Sequence, residues 1–166
     1  DKKIDELFVA VRDWVKTSGL SFYDRKAHTG LLRYAVIRST TLGETVVNLV
    51  TSVPESNDIA HVSRSGQMRC AETVAPTTWI WSRNSTITDV SYGDTLETLT
   101  GPGFIEEEIR GHRYRISPNA FFQTNSHGAA LLLDTVEEFC GDLSGKTLLD
   151  LYCGSGFFSV ALAPRA

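Results

Sequence analysis

Residues 146–160 read KTLLDLYCGSGFFSV. The apolar run TLLDLYC has the length and composition of a strand buried on both faces, as in a parallel sheet. Gly154-Ser155-Gly156 then breaks it, and FFSVALA opens a helix. Glycines at such a turn let backbone approach a ligand with no side chain in the way. The free amides at a helix start are donors beside a partial positive charge. In open α/β sheets this place, at the carboxyl ends of the strands, is where ligands bind. The stretch points to an adenosine-containing cofactor over Gly154 and Gly156. Asp150 is a strand-end cap or lies beneath that ligand, and Tyr152 and Phe157 serve packing or the ligand. The dinucleotide fingerprint wants a third glycine where Ser159 stands, which counts against a nicotinamide cofactor. Cys153 sits where a helix start lowers a thiol pKa. No His, Lys or Arg adjoins it, so packing is the expected role.

Upstream of this stretch, Asn125 or Ser126 caps a helix whose buried face is expected to be Ala129, Leu132, Leu133, Val136 and Phe139, ended by Gly141. Further upstream the texture is β-rich. Leu31–Ser39 and Thr45–Ser52 flank the turn TTLGE as a hairpin. Thr77–Ser82 reads as a strand. Asp94–Leu99 and Phe104–Ile109 are weaker strands separated by Gly101-Pro102-Gly103, and His112–Ile116 follows Gly111 as a strand able to pair back. Asp58–Ala75 is expected to be partly helical. At the front, Ile4, Leu7, Phe8, Val11, Trp14 and Val15 recur at helical spacing before Gly19. The expected architecture divides near residue 115. Residues 1–115 form an α+β domain, an antiparallel sheet with helices and a leading helix. Residues 116–166 open a Rossmann-like α/β domain.

Composition narrows the function classes. The 166 residues carry a net charge of −4, without the basic excess of a stand-alone nucleic-acid binder. Any grip on phosphates must be local or supplied from elsewhere. Arg110, His112, Arg113 and Arg115 cluster around Gly111, and Arg33 and Arg38 lie on the first hairpin. They serve either as solvated strand-edge charges or as phosphate contacts. Cys70, Cys140 and Cys153 are widely spaced with no CxxC pair, which suggests neither a zinc site nor a disulfide framework and fits reduced cytoplasmic thiols. No apolar run reaches the roughly 18 residues of a membrane span.

The string Arg115 to Asn125, RISPNAFFQTN, followed after a helix by LLDLYCGSG, resembles the RNA 5-methyluridine (uracil-C5) methyltransferase family. The resemblance extends back through GLLRYAVIRS and VNLVTS to the opening helix. It implies an S-adenosylmethionine-dependent enzyme acting on rRNA or tRNA, with a class I methyltransferase domain opening at residue 116. Gln123 then reaches the cofactor. Tyr152 and Phe157 flank it, Gly154 and Gly156 form the close-approach turn, and Asp150 sits beneath. Phe121 matches an aromatic beside the target uracil, where a flipped base needs a stacking surface.

The family's chemistry runs through a cysteine adduct at C6 of uracil, with a glutamate as the base that strips the C5 proton. Neither Cys70 nor Cys140 lies in a matching motif, and Cys153 belongs to the glycine loop, so no catalytic residue is assigned here. The expectation is an internal piece of a larger enzyme, inactive and weak in cofactor affinity by itself, with TLLDLYC left to pair with another copy or stay poorly ordered. Two other classes remain, a nicotinamide oxidoreductase and a non-catalytic RNA or protein interaction module over the first 115 residues.

Overall fold

The structure, a computed structural model, describes residues 2–166. Helix α1 (Lys2–Thr17) buries Leu7 and Val11, one turn apart on one face, with Asp5 in its first turn and Lys16 in its last to suit the helix dipole. A loop leads to strands β1 (Leu32–Ser39) and β2 (Thr45–Ser52), an antiparallel hairpin closed with Ser39 opposite Thr45. Helix α2 (Asn57–Val74) follows, its start capped by Ser56, whose hydroxyl accepts from the Ile59 amide at 3.3 Å. Strand β3 (Thr78–Asn84) returns beside β2, and β4 (Thr95–Thr100) completes a four-stranded sheet in the order β1-β2-β3-β4.

This sheet is mixed where an antiparallel one was expected. Val46 lies opposite Thr78 and Ser52 opposite Asn84, so β2 and β3 run parallel. The reason is α2: the stretch expected to be partly helical is helical throughout, and a helical crossover brings the chain back to start β3 at the same end as β2. The two central strands are buried along almost their whole length because both faces are covered. Val47, Leu49 and Trp79 pack with Leu7 and Val11 of α1 and Cys70 and Ala71 of α2. Val46 and Ile80 belong to the core cluster on the other face. Both buried indoles are paired: that of Trp79 donates to Gln67 at 3.0 Å and that of Trp81 to Thr51 at 2.9 Å.

Strands β5 (Ile105–Ile109) and β6 (His112–Ile116) form a separate antiparallel hairpin. Arg110 and Gly111, at φ 53° and 78°, make its two-residue turn with both central residues in the left-handed region, as the twist of a tight hairpin demands. Helix α3 (Ser126–Cys140) is capped by Asn125, whose side chain accepts from the Gly128 amide at 2.9 Å, and stops at Gly141. Its buried face is narrower than its periodicity suggested. Ala129 and Leu133 are buried, but Leu132 is exposed and Phe139 is 85% exposed, since no described element packs on that flank. Helix α4 (Phe157–Leu162) carries the chain to a final 3₁₀ turn at Ala163–Arg165. No helix among the described residues is long and apolar enough to cross a membrane.

The expected strand TLLDLYC does not form. Residues 147–152 adopt no regular element, and Leu149 and Leu151 are 77% and 71% exposed. An isolated strand leaves its amides and carbonyls unpaired, and no described strand lies alongside to accept them. The parallel sheet of a Rossmann-like domain is therefore not present among the described residues, although the glycine loop and helix start that would follow its first strand are.

Candidate functional site

Two adjacent phenylalanines in the strip ISPNAFFQTN take opposite sides: Phe122 is 5% exposed and Phe121 is 74% exposed. The Phe122 ring lies 5.4 Å from Tyr114 and 5.9 Å from Phe157, centroid to centroid, in an aromatic cluster on β6 and α4. The Tyr114 hydroxyl donates to the Phe157 carbonyl at 3.0 Å. Burial pushes that hydroxyl above its ordinary pKa, so it stays protonated and keeps donating.

Between Ser117 and Asn125 the strip has no helix or strand of its own. Side chains from elsewhere hold it. Asn119 donates to the Gly93 carbonyl at 2.9 Å, and Arg38 donates to the Ala120 carbonyl at 3.0 Å. Burial pulls the Arg38 guanidinium below its ordinary value. At the far end, the Ser126 hydroxyl donates to the Glu107 carboxylate at 2.6 Å. Gln123 lies between these ties, half-buried, on the wall of a cleft of about 490 Å³ that Ile37, Arg38, Thr41, Glu107 and Ile116 also line. Its side-chain amide has no hydrogen-bond partner among the described residues.

Glu107 was missed by the sequence reading. It is 2% exposed, a carboxylate in the core. Its oxygens accept from the Thr41 amide at 3.1 and 3.2 Å, the Thr41 hydroxyl, the Glu108 amide at 2.9 Å and Ser126. The run IEEEI hides it, because strand alternation puts Ile105, Glu107 and Ile109 on one face and Glu106 and Glu108 on the other.

The glycine loop is a tight, exposed turn. Tyr152, Gly154 and Gly156 take φ of 62°, 55° and 73°, and the Gly156 amide donates to the Cys153 carbonyl at 2.8 Å. The Ser159 hydroxyl donates to the Asp150 carboxylate across it. The Tyr152 side chain is in solvent, whereas the Phe157 ring is buried. Asp150, Tyr152, Gly154, Gly156 and Phe157 do not line the cleft that holds Gln123. The two halves of the site meet through Phe122 and Phe157, a contact one residue from Gln123 and one from Gly156.

Comparison with known proteins bears on this pairing of strip and loop. A family model described as tRNA (Uracil-5-)-methyltransferase matches residues 103–166. A tRNA (uracil(54)-C(5))-methyltransferase of Pyrococcus furiosus is 37% identical over 156 residues, covering 93% of this chain and 34% of that protein. An uncharacterized RNA methyltransferase of Caldanaerobacter subterraneus is 38% identical over 151 residues, 89% of this chain and 33% of the relative. The crystal structure of the Pyrococcus abyssi tRNA (uracil-54, C5)-methyltransferase with S-adenosyl-L-homocysteine superposes with a TM-score of 0.72 at 31% identity, over 95% of this chain and 36% of that one. Over nearly its whole length the chain is similar to RNA uracil-C5 methyltransferases, and residues 103–166 match the model of that family. It spans about a third of the length of the relatives it matches.

For a family whose substrates are RNA, the basic residues need accounting. Arg110 pairs with Asp134, and Arg113 lies 3.6 and 3.4 Å from Glu106 and Glu108. Arg115 stacks over Phe104 at 4.1 Å. Arg33 lies 4.0 Å over the Tyr23 ring and donates to the carbonyls of Asn84, Thr86 and Thr88. Arg38 is the strip's own anchor. Arg110 and Arg113 thus meet carboxylates, while Arg33, Arg38 and Arg115 meet neutral groups and form no ion pair among the described residues. Of the cysteines, Cys70 is buried, Cys140 half-buried and Cys153 exposed, all as free thiols.

Proposed function

We propose that these residues form part of an enzyme that transfers a methyl group from S-adenosylmethionine to C5 of a uridine in RNA. The observation that carries the reading is the strip: Phe121 is turned out to solvent while Gln123, two residues on, offers an unpartnered amide beside the cleft. Gln123, Asp150, Tyr152, Gly154, Gly156 and Phe157 hold the cofactor in this proposal, and Phe121 stacks on the target base. The residues suit it. A glutamine amide both donates and accepts, and Gly154 is exposed with only backbone near it. The homocysteine-bound relative and the uracil-C5 methyltransferase relatives support the same choice. They give no support to the nicotinamide reading of the loop or to a purely non-catalytic module.

When bound, the cofactor supplies an electrophilic methyl group. What this chain does is orient: the aromatic cluster fixes Phe122, and with it the neighbouring Phe121, exposed to solvent, and Gln123, on the cleft wall. The nucleophile that adds to C6 and the base that removes the C5 proton are proposed to lie outside these 166 residues. The buried Cys70 thiol, pushed up by desolvation, is ill suited to attack. A division into an α+β unit up to residue 115 and the opening of the cofactor domain from 116 accompanies this proposal. So does self-association of the bare chain through the uncovered residues 147–152.

The test incubates the protein that carries this sequence with tritiated S-adenosylmethionine and unmodified tRNA and rRNA transcripts, followed by nucleoside chromatography. Label in 5-methyluridine is the expected result. Label in another nucleoside, or none, overturns the reading. The 166 residues alone should bind S-adenosylhomocysteine weakly, and micromolar affinity by calorimetry would show that the cofactor site is complete within them.

A further inference from the structure

We propose that Glu107 is a positioning residue: its buried carboxylate clamps the strip so that Gln123 is presented at one place on the cleft wall. The inference rests on the proposed role of Gln123. A carboxylate is an expensive choice at position 107. An apolar side chain like its neighbours on the same face, Ile105 and Ile109, would bury there without the cost of desolvating a charge. What the carboxylate adds is connection. One side reaches the Thr41 amide and hydroxyl in the turn between β1 and β2, and the other reaches the Ser126 hydroxyl at the first residue of α3. The Glu44 carboxylate, four residues from the turn's start, reinforces the join by accepting from the Glu106 amide at 2.6 Å.

The strip needs such a clamp. Without helix or strand hydrogen bonds, Ser117 to Asn125 would sample many conformations, and ordering each residue costs roughly 1–2 kcal/mol of backbone entropy. Arg38 holds the near end at Ala120, Phe122 is set in the core, and Glu107 holds the far end at Ser126. Gln123 has no direct tie and takes its place from Phe122 and Ser126 on either side. The α3 cap itself is made by Asn125, so the bond from Ser126 to Glu107 is not needed to start the helix.

Ser126→Ala breaks one arm of the clamp while leaving the cap and the core intact. A displaced Gln123 weakens cofactor binding in ground and transition states alike, which raises KM and spares kcat. Loss of folded protein does the reverse, lowering apparent kcat at an unchanged KM. In methyl-transfer assays on the protein that carries this sequence, Ser126→Ala should raise the cofactor KM about tenfold, the scale of a lost bond to a charged group. Its kcat should stay within about twofold, and Ser126→Thr, which restores the hydroxyl, should recover most of the KM. Glu107→Gln, whose amide meets the two arms with one acceptor and one donor, should fall between the two serine variants. Parent KM in Ser126→Ala, or a fall in kcat alone that follows the folded fraction by circular dichroism, overturns the proposal. If the parent methylates no uridine, the functional reading fails instead. The clamp is then judged by nuclear magnetic resonance on the 166-residue chain: a shifted Gln123 side-chain amide in Ser126→Ala upholds it, and an unmoved one overturns it.

Discussion

The rings of Phe122 and Phe157 meet edge to face, their centroids 5.9 Å apart and their planes 89° from parallel. This contact joins two stretches separated by more than thirty residues, the strip that presents Gln123 and the helix start that follows the glycine loop. Edge-to-face pairs add about 0.5–1.5 kcal/mol beyond the area they bury. The loop side has few other holds, since the segment before it lacks regular structure. Tyr114 completes the joint by stacking near both rings and donating to the Phe157 carbonyl.

The two phenylalanines of the strip should therefore separate stability from function. Phe122→Ala removes a buried ring and should cost about 3–5 kcal/mol, read as a lower urea midpoint. Phe121→Ala, at an exposed position, should stay within about 0.5 kcal/mol of the parent. Equal losses for the two would contradict the burial pattern on which the site rests.

Residues 147–152 are irregular and mostly exposed, with large side chains, a form open to proteases. Brief chymotrypsin treatment should cut first beside Leu149, Leu151 or Tyr152, identified by mass spectrometry. First cuts within β2 or β3 instead would mean that the exposed segment is protected in solution, as self-association through it would bring about.

Two carboxylates tie loops together and should show in acid. The Asp94 carboxyl is held below the usual carboxylate range, chiefly by the Ser85 amide and also by the Ser85 hydroxyl, both at 2.8 Å. Asp24 is held low by the amides of Ala27 and Lys26. A carboxylate whose folded pKa is depressed contributes stability above its unfolded pKa of about 3.9, and that stability is lost as pH falls through the lower folded value. Asp94→Asn, which cannot titrate, should be less stable than the parent at pH 7 and lose less between pH 5 and pH 2. Parallel urea midpoints across that range for both proteins would rule out the linkage.

The three thiols should react in the order of their exposure. Cys153 should label with a disulfide reagent at pH 8 before Cys140. Cys70, buried between α2 and the sheet with its thiol pushed up by desolvation, should wait for unfolding. Early labelling of Cys70 would place α2 away from the sheet.

What the sequence determined by itself are features whose physics is local. The hairpin of β1 and β2 follows from two β-rich runs around TTLGE, and that of β5 and β6 from a turn in which Arg110 and Gly111 accept positive φ. Asn125 caps α3, and Gly154 and Gly156 turn the loop, wherever else the chain goes. The string ISPNAFFQTN, with LLDLYCGSG, pointed to the family for the same reason: it is read residue by residue. Tertiary structure decided whatever depends on what lies opposite. The parallel pairing of β2 with β3 needed α2 as a complete crossover. The face of α3 shrank to Ala129 and Leu133 because only one side is covered, and TLLDLYC formed no strand because no described strand pairs with it. Phe121 and Phe122 are chemically identical neighbours, told apart by which one the rings of Tyr114 and Phe157 receive. Glu107, the middle of three glutamates, became the clamp because strand alternation turned it inward, to where Thr41 and Ser126 could pay for its burial with hydrogen bonds. Local conformational preference is written in neighbouring residues, whereas burial and pairing depend on segments far apart in the chain.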